Sequence, residues 1–350
     1  MMTNRCSLLS LATAVPPHVV TQAEAKDLAR EAFGGRKALF DRLSGVFDNA
    51  GIARRHIVAP QEWYMARHGW NDRNRLYLKA AEDLFVDAAT AAIEKSALMP
   101  EQIDGIVTVS TTGIATPSLE ARVASRVGFR KDVRRVPVFG LGCAGGVSGL
   151  SLASRLARAD PGSNWLMVTV ETCSISIQLD SDDPAAVVAT ALFGDGAAAA
   201  IVTSGEHSPV QIAGSAEKLW PDTLRIMGWE VEDSGLGVVF DCAIPPFIEA
   251  ELATAVEEMC FAMGVRRSDI GRLCSHPGGV KVIDAIETAL HLPQGELNLE
   301  REVLHDFGNM SAPTVMFVLD RLIERGLPER TMMTAFGPGF TCAGLMLEAA

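Results

Sequence analysis

The feature that most constrains what this chain can fold into is an internal repeat, because its second half follows its first in outline. A helical stretch leads into Ala97-Leu98-Met99-Pro100-Glu101-Gln102-Ile103-Asp104-Gly105-Ile106-Val107. A second helical stretch leads into Met263-Gly264-Val265-Arg266-Arg267-Ser268-Asp269-Ile270-Gly271-Arg272-Leu273. Further on, Leu192-Phe193-Gly194-Asp195-Gly196 precedes the apolar run 197–202, and Ala335-Phe336-Gly337-Pro338-Gly339 precedes the apolar run 341–347. Two echoes in the same order predict a duplicated α/β fold with its seam near residues 204–210, dividing the chain into halves 1–205 and 206–350. A length of 350 residues is large for one ordinary domain and comfortable for a duplicated one.

Between the echoes, helix and strand patterns alternate. Thr21-x-x-Glu24 is a capping box opening a helix that Gly34-Gly35 stops. The spacing predicts a long Ala-rich helix over 77–98, a strand over 103–109, a helix over 117–127 with proline in its first turn, a strand over 135–141, a helix over 144–159 and a strand over 165–170. Such alternation, with apolar strands, reads as α/β with a largely buried sheet. Hydrophobic residues make up 48% of the chain but aromatics only 6%, so the core must be built from small aliphatic side chains.

The composition also excludes function classes. A net charge of −12 argues against nucleic acid or an anionic membrane as the main partner, so any anionic ligand must be met by a local basic patch. Seven cysteines without a C-x-x-C pair support neither a disulfide framework nor a zinc site, and a reducing cytoplasm is the expected compartment. Arg5, the apolar run 8–15 and Ala12-Thr13-Ala14 loosely imitate a secretory signal. A single positive charge, interrupting Ser and Thr, and Pro16-Pro17 fit a buried first strand instead. No run of about 18 apolar residues predicts stable membrane insertion.

Three positions carry candidate chemistry. Gly140-Leu141-Gly142-Cys143-Ala144-Gly145-Gly146 places a cysteine between a strand end and a helix start, where amides and the helix dipole favour a thiolate and can bind an oxyanion. The same pattern also suits a small buried thiol in a tight turn. Ser275-His276-Pro277-Gly278-Gly279 puts His276 at the carboxyl end of a strand, either facing a pocket or serving as a turn residue. Asn309, in Gly308-Asn309-Met310-Ser311 before the helix 313–325, is a donor to a ligand or simply a helix-cap or turn residue.

Taken in order, Cys143 in G-C-A-G-G, Leu192-Phe193-Gly194-Asp195-Gly196-Ala197, His276 in H-P-G-G, Asn309 in G-N-M-S and Phe336-Gly337-Pro338-Gly339 resemble the type III polyketide synthases, the chalcone-synthase-like branch of the thiolase superfamily. The resemblance spans nearly the whole chain. It implies a duplicated thiolase-like five-layer αβαβα fold, a homodimer, and free coenzyme A thioesters as substrates, with no metal, redox cofactor or carrier protein. It further implies that Cys143 holds an acyl group from a starter acyl-CoA, and that His276 and Asn309 stabilise the enolate formed when malonyl-CoA loses carbon dioxide.

The resemblance also assigns substrate-contacting positions. Phe193 matches one of two gatekeeper phenylalanines, and Val238 falls at the second, so one aromatic has become aliphatic. Cys173 and Ser176 lie in a segment resembling a wall of the elongation cavity, and Gly337, Pro338 and Gly339 in one that shapes cyclisation. Arg42 matches one of three basic residues at the coenzyme A tunnel, the others becoming Gly45 and Asn49, with Arg54, Arg55 and Lys281 as substitutes by position. Thr116 lies where subunits of the family reach into each other's cavities. The small wall and Val238 suit an aliphatic starter and an alkylpyrone or alkylresorcinol product. Two other readings are a β-ketoacyl synthase III-like condensing enzyme, against which the G-N-M-S and F-G-P-G pair speaks, and a non-catalytic thiolase-fold partner subunit, which has no reason to keep Cys143, His276 and Asn309 together.

Overall fold

The computed structural model describes residues 5–33, 37–178, 183–205 and 207–349. Among these the first half contributes β1 (Cys6–Ala14), β2 (His18–Thr21), β3 (Arg54–Ile57), β4 (Gly105–Val109), β5 (Arg134–Val138), β6 (Asn164–Thr172) and β7 (Asp195–Ser204). The second half contributes β8 (Val210–Leu219), β9 (Met227–Glu232), β10 (Gly235–Phe240), β11 (Arg272–Ser275), β12 (Arg330–Gly337) and β13 (Thr341–Ala349). Nine of them form one sheet in the order β11-β12-β13-β8-β1-β7-β6-β4-β5, while β2 pairs with β3 and β9 with β10.

The pairing repeats across the middle of this sheet. In the first half β4 runs parallel to β6, β6 antiparallel to β7, and β7 antiparallel to β1. In the second, β11 runs parallel to β12, β12 antiparallel to β13, and β13 antiparallel to β8. The two series meet where β1 and β8 pair antiparallel through Cys6 with Ile212 and Ser7 with Gln211. The first half alone adds an outer strand, β5, parallel to β4.

Helices Gly145–Ala159 and Pro313–Arg325 each touch strands of both halves and form the middle layer. Helix Trp70–Ser96 covers β1, β6 and β7 on one outside, and helix Ile244–Met263 covers β8 and β13 on the other, giving five alternating layers. Small residues make this stacking possible. Ala197, Ala198, Ala199 and Ala200 on β7 are fully buried, so helices approach the sheet closely from both sides. At the crossing of the two central helices a Cβ on Gly146 would stand 2.4 Å from the Ala312 carbonyl oxygen, so glycine sets the interhelical distance.

The capping box at Thr21 is present and opens helix Gln22–Ala32, while the Gly34-Gly35 stop falls outside the described residues. The long helix starts at Trp70 rather than 77. Its polar opening reads as loop in sequence, yet Arg73 is buried and donates to the carbonyls of Ile175 and Ile177. The apolar run at 8–15 falls in the central strand β1. Among the described residues no helix is long and apolar enough to cross a membrane.

Candidate active site

Cys143 sits in a single 3-10 turn, Gly142–Ala144, that feeds helix Gly145–Ala159. Gly142 adopts φ +47, and a Cβ there would meet the Pro338 ring at 2.6 Å, so the turn closes this tightly only with glycine. His276 follows β11, with its N–H donating to the Thr334 carbonyl at 2.8 Å. Asn309 lies between helix Asn298–Phe307 and helix Pro313–Arg325. It does not cap the second of these, whose N-cap is Ala312. Its Oδ1 accepts the Ser311 N–H at 2.8 Å, and its Nδ2 donates to the Gly278 carbonyl at 3.1 Å.

These contacts draw the three residues together. Gly278 stands between Asn309 and His276, since a Cβ on it would lie 3.7 Å from the imidazole Nε2. Ser311, held at φ +59, has its side chain near the Cys143 thiol, whose pKa it pulls down against burial. A non-glycine residue in this region costs energy and persists where its surroundings hold it, which here means the Asn309 turn on one side and the thiol on the other. Ser311 was missed in the sequence, although it is the fourth letter of the G-N-M-S motif.

Burial dominates the electrostatics. Cys143 is 7% exposed and His276 3% exposed, and both imidazole nitrogens are buried without a hydrogen-bond partner. Native interiors rarely leave a buried polar atom unpaired, so a ring with two such atoms marks a place built for a ligand. Burial pushes the Cys143 thiol up to about 12, with the Glu171 carboxylate raising it further against the Ser311 and own-backbone hydrogen bonds. Burial also pushes His276 down to about 3. At the thiol the helix start and burial act in opposite directions, since the amides favour a thiolate and desolvation favours the neutral form. Glu171, at the end of β6, is itself raised by burial to about 7 although both its oxygens accept the Thr111 N–H, at 3.1 and 3.0 Å.

The other predicted positions divide. Phe193 and Cys173 pack together with Ala189, and Val238 lies against them. Trp229 and Phe240, which the sequence reading did not count, close on Phe193 with ring centroids at 5.9 and 5.7 Å. Their signal was available only as hairpin register, since β9 and β10 pair Val238 with Trp229. Ser176 instead lines a small open hollow with Thr112, Arg73 and Leu236. Gly337 and Pro338 back the Cys143 turn: a Cβ on Gly337 would stand 2.5 Å from the Leu141 carbonyl and 2.6 Å from the Ala144 Cβ. Gly339 continues this turn at φ +98, and its carbonyl accepts the Thr223 hydroxyl.

Arg42 is exposed on helix Lys37–Leu43, and among the described residues nothing ties it to Cys143. A Cβ on Gly51 would meet Val280, which brings the loop before β3 beside the helix that carries exposed Lys281. Arg54 is exposed but Arg55 is 2% exposed, so Arg55 cannot serve as a surface cation for coenzyme A. Thr116 is exposed on the loop beyond β4, close in sequence to exposed Ile114.

Comparison with known proteins decides the family. Residues 2–206 match the N-terminal domain of chalcone and stilbene synthases, and residues 211–350 match the C-terminal domain. The chain belongs to this family. It is a type III polyketide synthase, an acyl-transferring enzyme of thiolase-like fold. A 1,3,6,8-tetrahydroxynaphthalene synthase of Streptomyces peucetius subsp. caesius is 36% identical over 352 residues, covering 97% of this chain and 92% of the relative. An alpha-pyrone synthesis polyketide synthase-like protein of Mycobacterium tuberculosis is 28% identical over 356 residues, covering 97% and 90%. The crystal structure of the tetrahydroxynaphthalene synthase of Streptomyces coelicolor A3(2) superposes with a TM-score of 0.91 at 30% identity, covering 98% of this chain and 99% of that one. In this synthase the central helix pair meets between the turn that bears Cys143 and the loop that bears Asn309.

Proposed function

We propose that the synthase loads an acyl-CoA starter onto Cys143 and extends it with malonyl-CoA, with Cys143, His276 and Asn309 as the catalytic residues. The observation that carries this reading is the buried His276 ring, with two unpartnered nitrogens, near the Asn309 amide through Gly278, together with the buried Cys143 thiol. Neutral His276 accepts the Cys143 proton as sulfur attacks the starter carbonyl, and the departing coenzyme A thiolate takes a proton in turn. His276 and Asn309 then donate to the malonyl thioester oxygen. Carbon dioxide leaves, the enolate carbon attacks the Cys143-bound acyl carbon, and sulfur departs as the new carbon–carbon bond forms. Only one Asn309 N–H is engaged by Gly278, which leaves its second for the substrate. Neutral donors suit a developing negative charge, whereas a carboxylate here would oppose it.

For the product, Val238 and the small Cys173 beside Phe193 favour an aliphatic starter and an alkylpyrone or alkylresorcinol, and the relative named for alpha-pyrone synthesis supports that class. A second reading, an aromatic polyketide assembled from malonyl units alone, is favoured by Trp229 and Phe240. These rings occupy space beside Phe193, and relatives at 36% and 30% identity are tetrahydroxynaphthalene synthases. Incubation with malonyl-CoA alone and with a panel of acyl-CoA starters, with mass detection, separates the two. Products that all lack the added starter sink the first reading, and complete dependence on a starter sinks the second.

The assembly we infer is a homodimer. Strand β5 is an open sheet edge, and exposed Phe139, Ile114 and Thr116 follow it or its neighbour, an arrangement that a second copy would cover. Seven free thiols, six of them buried, suit a reducing cytoplasm, and coenzyme A enters as part of the substrates rather than as a cofactor.

A further inference from the structure

Strand β3 carries a buried cation whose two terminal nitrogens are spent on backbone. Arg55 donates through Nη1 to the carbonyls of Thr190 at 2.7 Å and Phe193 at 3.2 Å, and through Nη2 to that of Ala191 at 3.0 Å. Those of Thr190 and Ala191 are end carbonyls of helix Pro184–Leu192, which lack intrahelical partners and lie at its negative pole. Two residues beyond Phe193, Asp195 accepts the Val58 N–H at 2.8 Å, the Ser174 N–H at 2.7 Å and the Ser174 hydroxyl. The segment 190–195 is thus pinned to β3 and its exit on both sides of Phe193.

Between those pins the segment is bonded to the loop bearing Asn309. The Gly194 N–H donates to the Asn309 carbonyl at 3.0 Å, and the Asn309 N–H donates to the Leu192 carbonyl at 2.8 Å. No side chain fits between the two strips. A Cβ on Gly194 would stand 2.3 Å from the Phe307 carbonyl oxygen, and one on Gly308 would stand 2.9 Å from that of Leu192. The Asn309 backbone therefore has the position that the segment 192–194 gives it. Ser174, the shared partner of Asp195, is next to Cys173 in the wall beside Phe193.

We propose that Arg55 and Asp195 are positioning residues for the condensation, fixing where Asn309 presents its amide and where the Phe193 ring stands. The inference rests on the role given to Asn309 above. Burying a guanidinium with its Nε unpaired is costly, and an apolar residue of similar volume is often equally stable in such a place. What the apolar residue could not do is hold three carbonyls in a set geometry. Arg55 and Asp195 also feel each other's charge, which holds each closer to its ionised form than burial alone would.

The test is Arg55→Lys, which keeps the charge but loses the planar fork, read in two ways. Amide hydrogen exchange should quicken about 10-fold at Gly194 and Asn309 while helix Gly145–Ala159 keeps its protection. Malonyl-CoA decarboxylation should fall about 10-fold in kcat with KM little changed, while acylation of Cys143 by starter stays within about twofold, since a misplacement well under 1 Å affects only the displaced donor. Unchanged exchange at Gly194 and Asn309, or equal loss of both reaction steps, overturns the proposal. If Arg55→Lys does not fold, Ser174→Ala removes one ligand of Asp195 and is judged by the same two readouts. Asn309→Ala is run alongside. Normal decarboxylation in that variant defeats the role of Asn309, while the exchange data still decide whether Arg55 and Asp195 position its loop.

Discussion

Replacing Gly337 by alanine tests whether the turn after β12 sets the place of the nucleophile. Gly337 has no special backbone angle, so the added methyl acts through sterics alone. Its Cβ would stand 2.5 Å from the Leu141 carbonyl oxygen and 2.6 Å from the Ala144 Cβ, the residues that bracket Gly142 and Cys143. Ordinary contact requires these atoms to retreat by about 0.5 to 1 Å. The β12 side is fixed by its ladder to β13, which pairs Gly337 with Thr341, so the Cys143 turn is the part that yields. A displacement of that size costs about 10- to 100-fold in a reaction that depends on alignment. Overpacking should lower stability by about 1 to 3 kcal/mol. Rapid-quench mass spectrometry of the acylated Cys143 peptide measures the first, and urea unfolding the second. Gly228→Ala, where an added Cβ meets nothing within 4 Å, is the control. Wild-type acylation in a stable Gly337→Ala protein would refute the idea that this turn positions Cys143.

Asn309→Ala should cut malonyl-CoA decarboxylation about 10²- to 10³-fold while Cys143 still accepts starter, whereas His276→Ala should impair both steps; single-turnover assays of each step show it. Glu171, raised from 4.5 to about 7 when folded, favours the native state while protonated, so its contribution to stability is lost as pH rises through 7. Glu171→Gln removes that dependence, and its stability relative to wild type should increase by about 2 kcal/mol between pH 5 and pH 8 in denaturant titrations. His276, lowered to about 3, works in the opposite direction, favouring the folded state above pH 6.5 and losing that contribution as pH falls, so a flat difference for Glu171→Gln counts against its burial as the cause. Val238→Phe adds a ring beside Phe193, Trp229 and Phe240 and should lower the use of long-chain acyl-CoA starters about 10- to 100-fold with little effect on acetyl-CoA, measured by product profiling.

Much of the architecture was legible because it rests on short-range patterns. The echoes at 97–107 and 263–273 end in β4 and β11, and those at 192–196 and 335–339 border β7 and β13, equivalent strands of the two halves. Cys143, His276 and Asn309 were legible because glycine-rich turns at strand ends are local signals. Arg55 was misjudged because Arg54-Arg55 is symmetric in sequence, and only the side-to-side alternation of β3 puts one outside and the other inside. Trp229 and Phe240 approach Phe193 through a hairpin whose docking no local pattern encodes. The opposing pull of burial on the Cys143 thiol was not legible for a related reason. A helix start is visible in sequence, but the depth at which it is buried is not. Glu171 offered a signal that went unused, a carboxylate ending the otherwise apolar run of β6.

The crossing of the two central helices makes the chemistry a joint property of the halves. Gly146 rests on the backbone of Ala312, three residues past Asn309, and Gly145, two residues past Cys143, faces the same alanine across the seam. On the proposed roles, one half holds the nucleophile without its donors, and the other holds the donors without the thiol they serve. A change at the seam therefore cannot be corrected within the half where it arises. A bulkier residue at 146 must be answered by a retreat of the chain at 312, and that retreat carries Asn309 with it. The turnover rate of this synthase is in that sense a gauge of fit between its two halves, sensitive to substitutions that touch neither substrate nor catalytic side chain.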